Sequence, residues 1–321
     1  MAKHRRPQGV QWSARAVPTH RRHLADDIYT WAHQLDTNRQ QAIARGVTDQ
    51  ARLDQVGQQI AHERRLAQRA EHAELYWVAP DMTRLALDAS HDVPDFRADH
   101  LPVPNGLLLL ADAPPTVTMP QASNFPFKEV PVWGLWWHPS DGGGETTVQI
   151  LTRRSALPNP VLPGSGQLQP TFTLHAPWDT AVDFAAMTGQ LRDETGAEIT
   201  DDSLGVMAFL AAVTVMMMTP TIAERQTLDA RTGRPSDRAP QARPADLVTT
   251  IDLRPLRHVT DDEPGDGGRV YRHRWVVRGH WTHQPHGPGG SLRKLVYRAP
   301  YIKGPDGAPL LITEKVMVWR R

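Results

Sequence analysis

The sequence predicts an α+β fold with N-terminal helices, a mixed central region with a buried Met-rich helix, and a C-terminal antiparallel basic sheet. Three observations predict it. Apolar residues recur at helical spacing near the start, a long apolar run lies past the middle, and apolar and basic residues alternate near the end. At 321 residues the chain is long enough for one large domain or two ordinary ones.

Residues 1–79 are predicted to form a basic arm followed by helices. A second helix is expected from Thr48, which can cap it, to Tyr76. Its charged face is most simply solvated, and the alternative is a surface that binds RNA or a partner helix. The apolar stripe of the first helix, at steps of three and four residues, consists of Leu24, Ile28, Trp31 and Leu35.

Residues 80–222 are predicted to form a mixed α/β central region that ends in an apolar helix. A short helix follows Pro80, a buried strand covers Leu107–Leu110, and two apolar segments flank "SDGGGE" as a hairpin. The most apolar run, Leu204–Met218, has 15 residues. A membrane span needs about 20, so this run predicts a buried core helix and no membrane partner.

The remaining chain is predicted to be a linker followed by strands. Residues 223–246 are rich in arginine and proline and predict a linker or exposed loop. Residues 247–321 predict a basic antiparallel β region, a meander of about four strands. Period-two alternation places Leu295 and Tyr297 on one face and Lys294 and Arg298 on the other.

The charge distribution indicates a polyanionic partner. The formal net charge is +1, yet residues 269–321 carry eleven Lys/Arg against two acids, a balance of +9. Such asymmetry favours RNA or a ribosome, and the alternative is a solvated basic face balanced elsewhere. With no cysteine, the chain has neither disulfides nor thiolate chemistry. The first residues lack the apolar core of a secretory signal, so the cytoplasm is the expected location.

Four histidines lie close together in the basic region but do not favour a metal site. A metal usually needs imidazoles joined by a carboxylate, and here the neighbouring charges are arginines, which repel a cation. Known phosphate-loop and nucleophile motifs are missing from the sequence. We therefore predict no metal and no cofactor. The four histidines are His273, His280, His283 and His286.

Catalysis is the enzyme alternative for this region. Metal-independent RNA cleavage uses a histidine base, a histidine acid and cations that stabilise charge on phosphate. The matching set is His280, His283, Arg278 and Lys294.

Binding without catalysis is the leading interpretation, because arginine pairs with phosphate and aromatic rings stack on unpaired bases. The alternative is a stable basic sheet whose tryptophans belong to the core. The predicted nucleic-acid-binding residues are Arg272, Arg274, Arg278, His280, Trp281, Arg293, Lys294, Tyr297, Arg298, Tyr301 and Lys303.

The stretch "RHRWVVRGHWTHQPHGPGG…RKLVYRAPYIKGPDGAPL" resembles a signature of uncharacterised proteins of actinobacteria and their phages and plasmids. Those proteins carry "RW-VRGHWR-Q" followed by "W-I-PY-KGP". The sequence departs at Thr282 and Tyr297, where a basic residue and a tryptophan are expected. The resemblance begins near residue 75 and is most specific over 271–310. Matching residues are Arg274, Trp275, Val277 to Trp281, Gln284, Ala299 to Tyr301 and Lys303 to Pro305.

The shorter "VRGHW" and "K-G" pattern is similar to a plasmid- and phage-borne anti-CRISPR family that silences production of a type V CRISPR effector. The resemblance implies action during translation, with the effector's messenger RNA lowered after its nascent chain is sensed. The sequence therefore predicts an RNA- or ribonucleoprotein-binding regulator of a mobile genetic element, acting on translation or messenger stability. A histidine-dependent RNase and a protein-binding inhibitor that uses the N-terminal helices are the alternatives.

Overall fold

A computed structural model describes residues 12–112, 115–118, 129–157, 159–178, 180–184, 201–236, 246–255, 258–259 and 272–311. Predictions for most of the basic arm and for the last strand lie outside the described residues. The described helices of more than one turn are α1 (Val17–Ala44), α2 (Gln50–His72), α3 (Pro80–Ser90) and α4 (Asp201–Met217).

An eight-stranded mixed sheet forms the centre of the molecule. Its spatial order is β11-β10-β12-β1-β3-β6-β7-β8. Strands β12, β1 and β3 are parallel, and the others run antiparallel to their neighbours. The strands are β1 (Glu74–Val78), β3 (Gly106–Leu110), β6 (Gly134–Pro139), β7 (Glu145–Arg153), β8 (Leu168–Pro177), β10 (Ala223–Asp229), β11 (Arg234–Pro235) and β12 (Leu247–Leu253).

Smaller sheets lie beside the central one. The antiparallel hairpin β15–β16 stands next to a three-stranded sheet of order β13-β17-β14. Two short pairs, β2–β9 and β4–β5, complete the strands. The bounds are β2 (Asp95–Phe96), β4 (Thr116–Thr118), β5 (Glu129–Pro131), β9 (Val182–Asp183), β13 (His258–Val259), β14 (Trp275–Val277), β15 (His280–His286), β16 (Leu292–Arg298) and β17 (Tyr301–Lys303).

Helices cover both faces of the central sheet. Because side chains alternate along a strand, Leu107 and Leu109 of β3 join the core under α1 and α2, while Leu108 and Leu110 join the core under α3 and α4. The second core also contains Leu295 and Tyr297 of β16. The hairpin β15–β16 is therefore packed against the body of the molecule. The α+β class predicted from the sequence is confirmed.

The Met-rich helix α4 is the most deeply buried helix. Every residue from Val206 to Met217 is buried. A helix that is apolar on all sides can only be accommodated in a core. Its one polar interior residue, Thr214, donates its hydroxyl proton to the carbonyl of Leu210 at 2.7 Å. The prediction of a buried core helix is confirmed for the described residues.

The second helix ends earlier than the sequence predicts. Asp49, one residue after Thr48, is the N-cap, and its carboxylate accepts from the Arg52 backbone N–H at 3.1 Å. The helix stops at His72, and Tyr76 lies in the central strand β1. After Glu74, the residues "LYWV" of β1 are aliphatic and aromatic, because β1 is covered on both faces.

The predicted linker and meander differ from the structure in two strands. Residues 223–229 form β10, which pairs with β12 along its full length. Strand β12 pairs in parallel with β1 inside the central sheet. Among the described strands after it, β15 pairs with β16 and β14 pairs with β17 in separate sheets, so they do not form the expected meander. The β-branched run of β12 correctly predicts a strand. Because it follows the predicted linker, the sequence analysis assigned it to the C-terminal β region and not to the central sheet. The domain boundaries after residues 79, 222 and 246 stay a prediction.

Candidate binding surfaces

The register of β15–β16 decides which of the predicted residues reach solvent. Trp281 lies opposite Tyr297 and His283 opposite Leu295, whereas His280 lies opposite Arg298 and Gln284 opposite Lys294. Directly opposite residues share a face and the faces alternate. The hairpin thus has an inner face, which carries Trp281 and Tyr297, and an outer face, which carries His280, Lys294 and Arg298.

The inner aromatic residues are packing residues. Tyr297 is 4% exposed, and its ring centroid lies 5.0 Å from that of Trp281. Trp281 Nε1 donates to the carbonyl of Ala89, at the end of α3, at 2.8 Å. Burial raises the pKa of Tyr297 to about 12, with a further contribution from Asp88. Tyr297 is therefore a buried packing residue, and Trp281 is half-buried and anchored to the end of α3.

Two glycines of the "VRGHW" and "KGP" motifs are required by close packing. A Cβ atom on Gly279 would lie 2.2 Å from the Tyr297 hydroxyl and 2.9 Å from the carbonyl oxygen of Arg298. Gly304 has a φ of +127°, and a Cβ atom on it would lie 2.9 Å from the Cα of Arg274. The residues that carry the sequence resemblance therefore hold β14–β17 together and fix the hairpin on α3.

Carboxylates neutralise part of the basic region. Arg278 Nη2 lies 2.9 Å from Asp92 Oδ2, and His283 Nε2 lies 3.3 Å from Asp95 Oδ2. Both acids belong to the segment after α3, almost 190 residues earlier in the chain. Asp92 thus offsets one of the positive charges that the sequence places in residues 269–321.

The other predicted residues divide between structural and exposed positions. Arg274 Nε donates to the carbonyl of Ala308 at 2.7 Å, and Arg293 donates to the carbonyl of Gly290 at the hairpin turn. Tyr301 and Lys303 are half-buried in β17. The exposed cationic side chains are Arg272, Arg278, Arg293, Lys294 and Arg298, and His280 is also exposed.

The residues of the RNase alternative are not brought to one place. His280 belongs to the outer face and His283 to the inner face, beside Asp95. Lys294 shares the outer face with His280 but lies four residues from Arg298, the pairing partner of His280. That spacing is about 13 Å along a strand. Within β15–β16, no phosphate could contact both histidines and Lys294 together.

A pocket of about 370 Å³ lies between the hairpin and the body. It brings together four predicted residues, namely His280, Tyr297, Arg298 and Tyr301. Sequence reasoning missed the rest, because the turns after α4 and β12 approach the hairpin only in the folded chain. The added lining residues are Leu85, Thr221, Ile222, Leu253, Arg254, Pro255, Val296, Ala299 and Pro300.

The α1–α2 hairpin extends past the core that holds its base. All buried residues of α1 lie between Val17 and Ala32. The buried Leu53 and Ile60 of α2 are absent from the core cluster that contains Leu66 and Ala70. The part that we call the hairpin tip, residues 33–61, is therefore formed by the two helices packing on each other. Its 12 residues of α1 span roughly 18 Å at 1.5 Å per residue.

The hairpin tip carries an apolar groove of about 380 Å³. Val47, which lines the groove, and Ile43, which follows the lining residue Ala42 in α1, are each 42% exposed. Arg39 bridges the two helices by donating from Nε to the Leu53 carbonyl at 2.9 Å. The groove is lined by Leu35, Asn38, Arg39, Ala42, Val47, Arg52, Leu53 and Val56.

An ion-pair cluster attaches the base of the α1–α2 hairpin to the body of the molecule. Asp141, in the turn between β6 and β7, lies 2.6 Å from Arg65 Nη2, 2.9 Å from His62 Nδ1 and 2.7 Å from Arg69 Nη1. The hydrogen bond from Arg65, followed by those of His62 and Arg69, holds the pKa of Asp141 well below its usual range. The cluster ties α2 to the body from residue 62 onward, which marks where the tip begins.

No helix among the described residues is long and apolar enough to cross a membrane. The same part of the chain contains no group of three or more His, Asp or Glu side chains placed to hold a metal ion.

Comparisons with known proteins include a weak structural likeness. No protein-family model matches the chain, and no curated protein matches it. The crystal structure of AcrVA2 aligns with 87% of this chain and 92% of its own, at 11% identity and a TM-score of 0.34. AcrVA2 is an anti-CRISPR protein. At this TM-score the likeness supports no argument about function, which is drawn from the surfaces themselves.

Proposed function

We propose that the chain is a protein-binding inhibitor that docks its partner through the hairpin tip, residues 33–61. The observation that carries the proposal is the apolar groove on a segment that lies outside the core clusters of the described residues. Exposed Ile43 and Val47 beside the groove leave apolar area in water that a partner would cover. A groove between two helices suits an amphipathic helix or an extended apolar segment.

The partner to test first follows from the sequence resemblance. The "VRGHW" pattern is similar to the anti-CRISPR family that silences production of a type V CRISPR effector. A type V effector or its nascent chain is therefore the proposed target. Cytoplasmic location remains a prediction.

Purified type V effector provides the binding test. Titration with the wild-type chain is expected to give saturable binding, and Val47→Asp is expected to weaken it about tenfold or more, because the charge would enter an apolar contact. Arg45→Asp, at the end of α1 and outside the lining of the groove, is the matched control and should bind within about threefold of wild type. Equal binding by wild type and Val47→Asp would contradict docking at the groove.

RNA binding by the outer face of β15–β16 is the second candidate. Lys294 and Arg298 are exposed, and among the described residues no carboxylate lies within ion-pair distance of either. Such cations would bind phosphate with an affinity that falls steeply as salt rises, because bound cations release counterions. Lys294→Gln with Arg298→Gln should then reduce both the affinity for single-stranded RNA and its dependence on salt. No binding at low salt would remove this candidate.

A further inference from the structure

The pocket between the β15–β16 hairpin and the body has an uneven polarity. Its apolar part, which we call the floor, includes the side chains of Leu85, Ile222 and Val296. Its polar side chains include Arg254, Arg298 and His280, and none of the described residues that line it is acidic. The volume of about 370 Å³ falls in the range of small-molecule sites.

The two arginines are available to a ligand. Arg254 Nε is held by the carbonyl of Ala223 at 3.3 Å, which anchors the side chain while its Nη atoms make no other bond to described residues. Arg298 makes no ion pair with any carboxylate among the described residues, and His280 lies directly opposite it in the hairpin register. The nearby acid Asp92 is engaged by Arg278.

This combination selects one class of ligand. A metal cation would be repelled by the arginines, and inorganic phosphate would leave the apolar floor uncovered. A neutral apolar molecule would leave the guanidinium groups without new partners. We propose that the pocket binds an amphipathic organic anion, a molecule with an apolar body over Leu85, Ile222 and Val296 and one anionic group between Arg254 and Arg298. Charge-assisted hydrogen bonds from the arginines would hold that group.

A pair of matched dyes tests the proposal. 8-Anilinonaphthalene-1-sulfonate has an apolar body and one sulfonate, and N-phenyl-1-naphthylamine is its uncharged counterpart. Fluorescence titration of the folded wild type should show one saturable sulfonate site in this pocket. The double variant Arg254→Gln, Arg298→Gln should weaken sulfonate binding about tenfold or more and leave the neutral dye within about twofold.

Two further variants separate this pocket from other sites. Val296→Trp should fill the floor and abolish binding of both dyes here, whereas Lys294→Gln, on the same face but outside the lining, should leave both unchanged. Val47→Asp should weaken dye binding at the hairpin tip, so each titration is repeated in that background to identify the signal of this pocket. Near-ultraviolet circular dichroism confirms that each variant is folded. An unchanged sulfonate affinity in the double variant, or an unchanged sulfonate affinity in Val296→Trp, would overturn the proposal.

Discussion

Gly279 lies where strand β15 begins, with the Tyr297 hydroxyl and the Arg298 carbonyl on the side where a Cβ would point. The Gly279→Ala variant must separate the two strands or displace a buried ring. We expect destabilisation by about 1–3 kcal/mol, the range for overpacking. Urea unfolding measures it, and Gly142→Ala, whose Cβ would meet nothing within 4 Å, is the control. Equal stability of the two variants would mean that the hairpin is not seated on α3 as described.

His138 makes stability depend on pH. It is 1% exposed, its Nδ1 lies 2.9 Å from the Pro139 carbonyl, and its Nε2 has no hydrogen-bond partner among the described residues. Burial lowers the pKa of His138 to about 4, and burial likewise lowers the pKa of His20 to about 4. Between the unfolded value near 6.5 and a pH of 4, the unfolded chain binds more protons than the folded chain. Stability therefore falls as the pH is lowered through this window.

The His138→Gln variant should lose part of this pH dependence. Because His20 remains, the slope of the unfolding free energy against pH between about 6.5 and 4 should decrease without vanishing. Urea unfolding across that range measures the slope. His91→Gln, at an exposed histidine, is the control and should keep the wild-type slope. An unchanged slope in His138→Gln would show that His138 is not buried as a neutral group.

The sequence predicted which residues of β16 share a face, but it could not predict which of the two faces is buried. The period-two alternation correctly placed Leu295 and Tyr297 on one face of β16 and Lys294 and Arg298 on the other face. Trp281 belongs to a pattern that fits a stacking platform and a core anchor equally well. Only the position of α3 decides between them, and that contact joins residues almost 200 positions apart.

The burial of helix α4 can be predicted from its own sequence, without knowledge of its neighbours. An unbroken apolar run predicts burial from any side, and Phe209 is fully buried. Phe209→Asp is expected to destabilise the chain by about 3–5 kcal/mol, since it introduces an unpaired buried charge. Urea unfolding measures the effect. The same charge at exposed Met218 should cost about 1 kcal/mol or less. Comparable losses at both positions would contradict a core helix.

Strand β10 was hidden from sequence reasoning for a physical reason. Its residues Glu224, Arg225 and Gln226 are exposed, so it lacks the apolar pattern of a central strand. Backbone pairing with β12 holds it instead, in a register of seven residue pairs. Sequence patterns report buried side chains, and they report backbone hydrogen bonds poorly when the strand is polar.

The whole molecule consists of a layered body and a helical tip. Because residues 33–61 lie outside the core clusters of the sheet, their removal should leave the body folded. We expect a variant in which a short Gly/Ser turn replaces residues 36–59 to unfold cooperatively, with a Tm within about 5 °C of wild type. Thermal unfolding by circular dichroism measures this. Loss of cooperative unfolding would show that the tip supports the body.

The central claim is that the chain inhibits a partner protein through the hairpin tip rather than through its basic hairpin. The most direct test measures interference by a type V CRISPR system in cells that express the chain. Wild type should suppress interference, Ile43→Asp with Val47→Asp should restore it, and Lys294→Gln with Arg298→Gln should still suppress it. Suppression that survives the tip variant, or that is lost only in the basic-face variant, would contradict the claim, as would a wild-type chain that leaves interference intact.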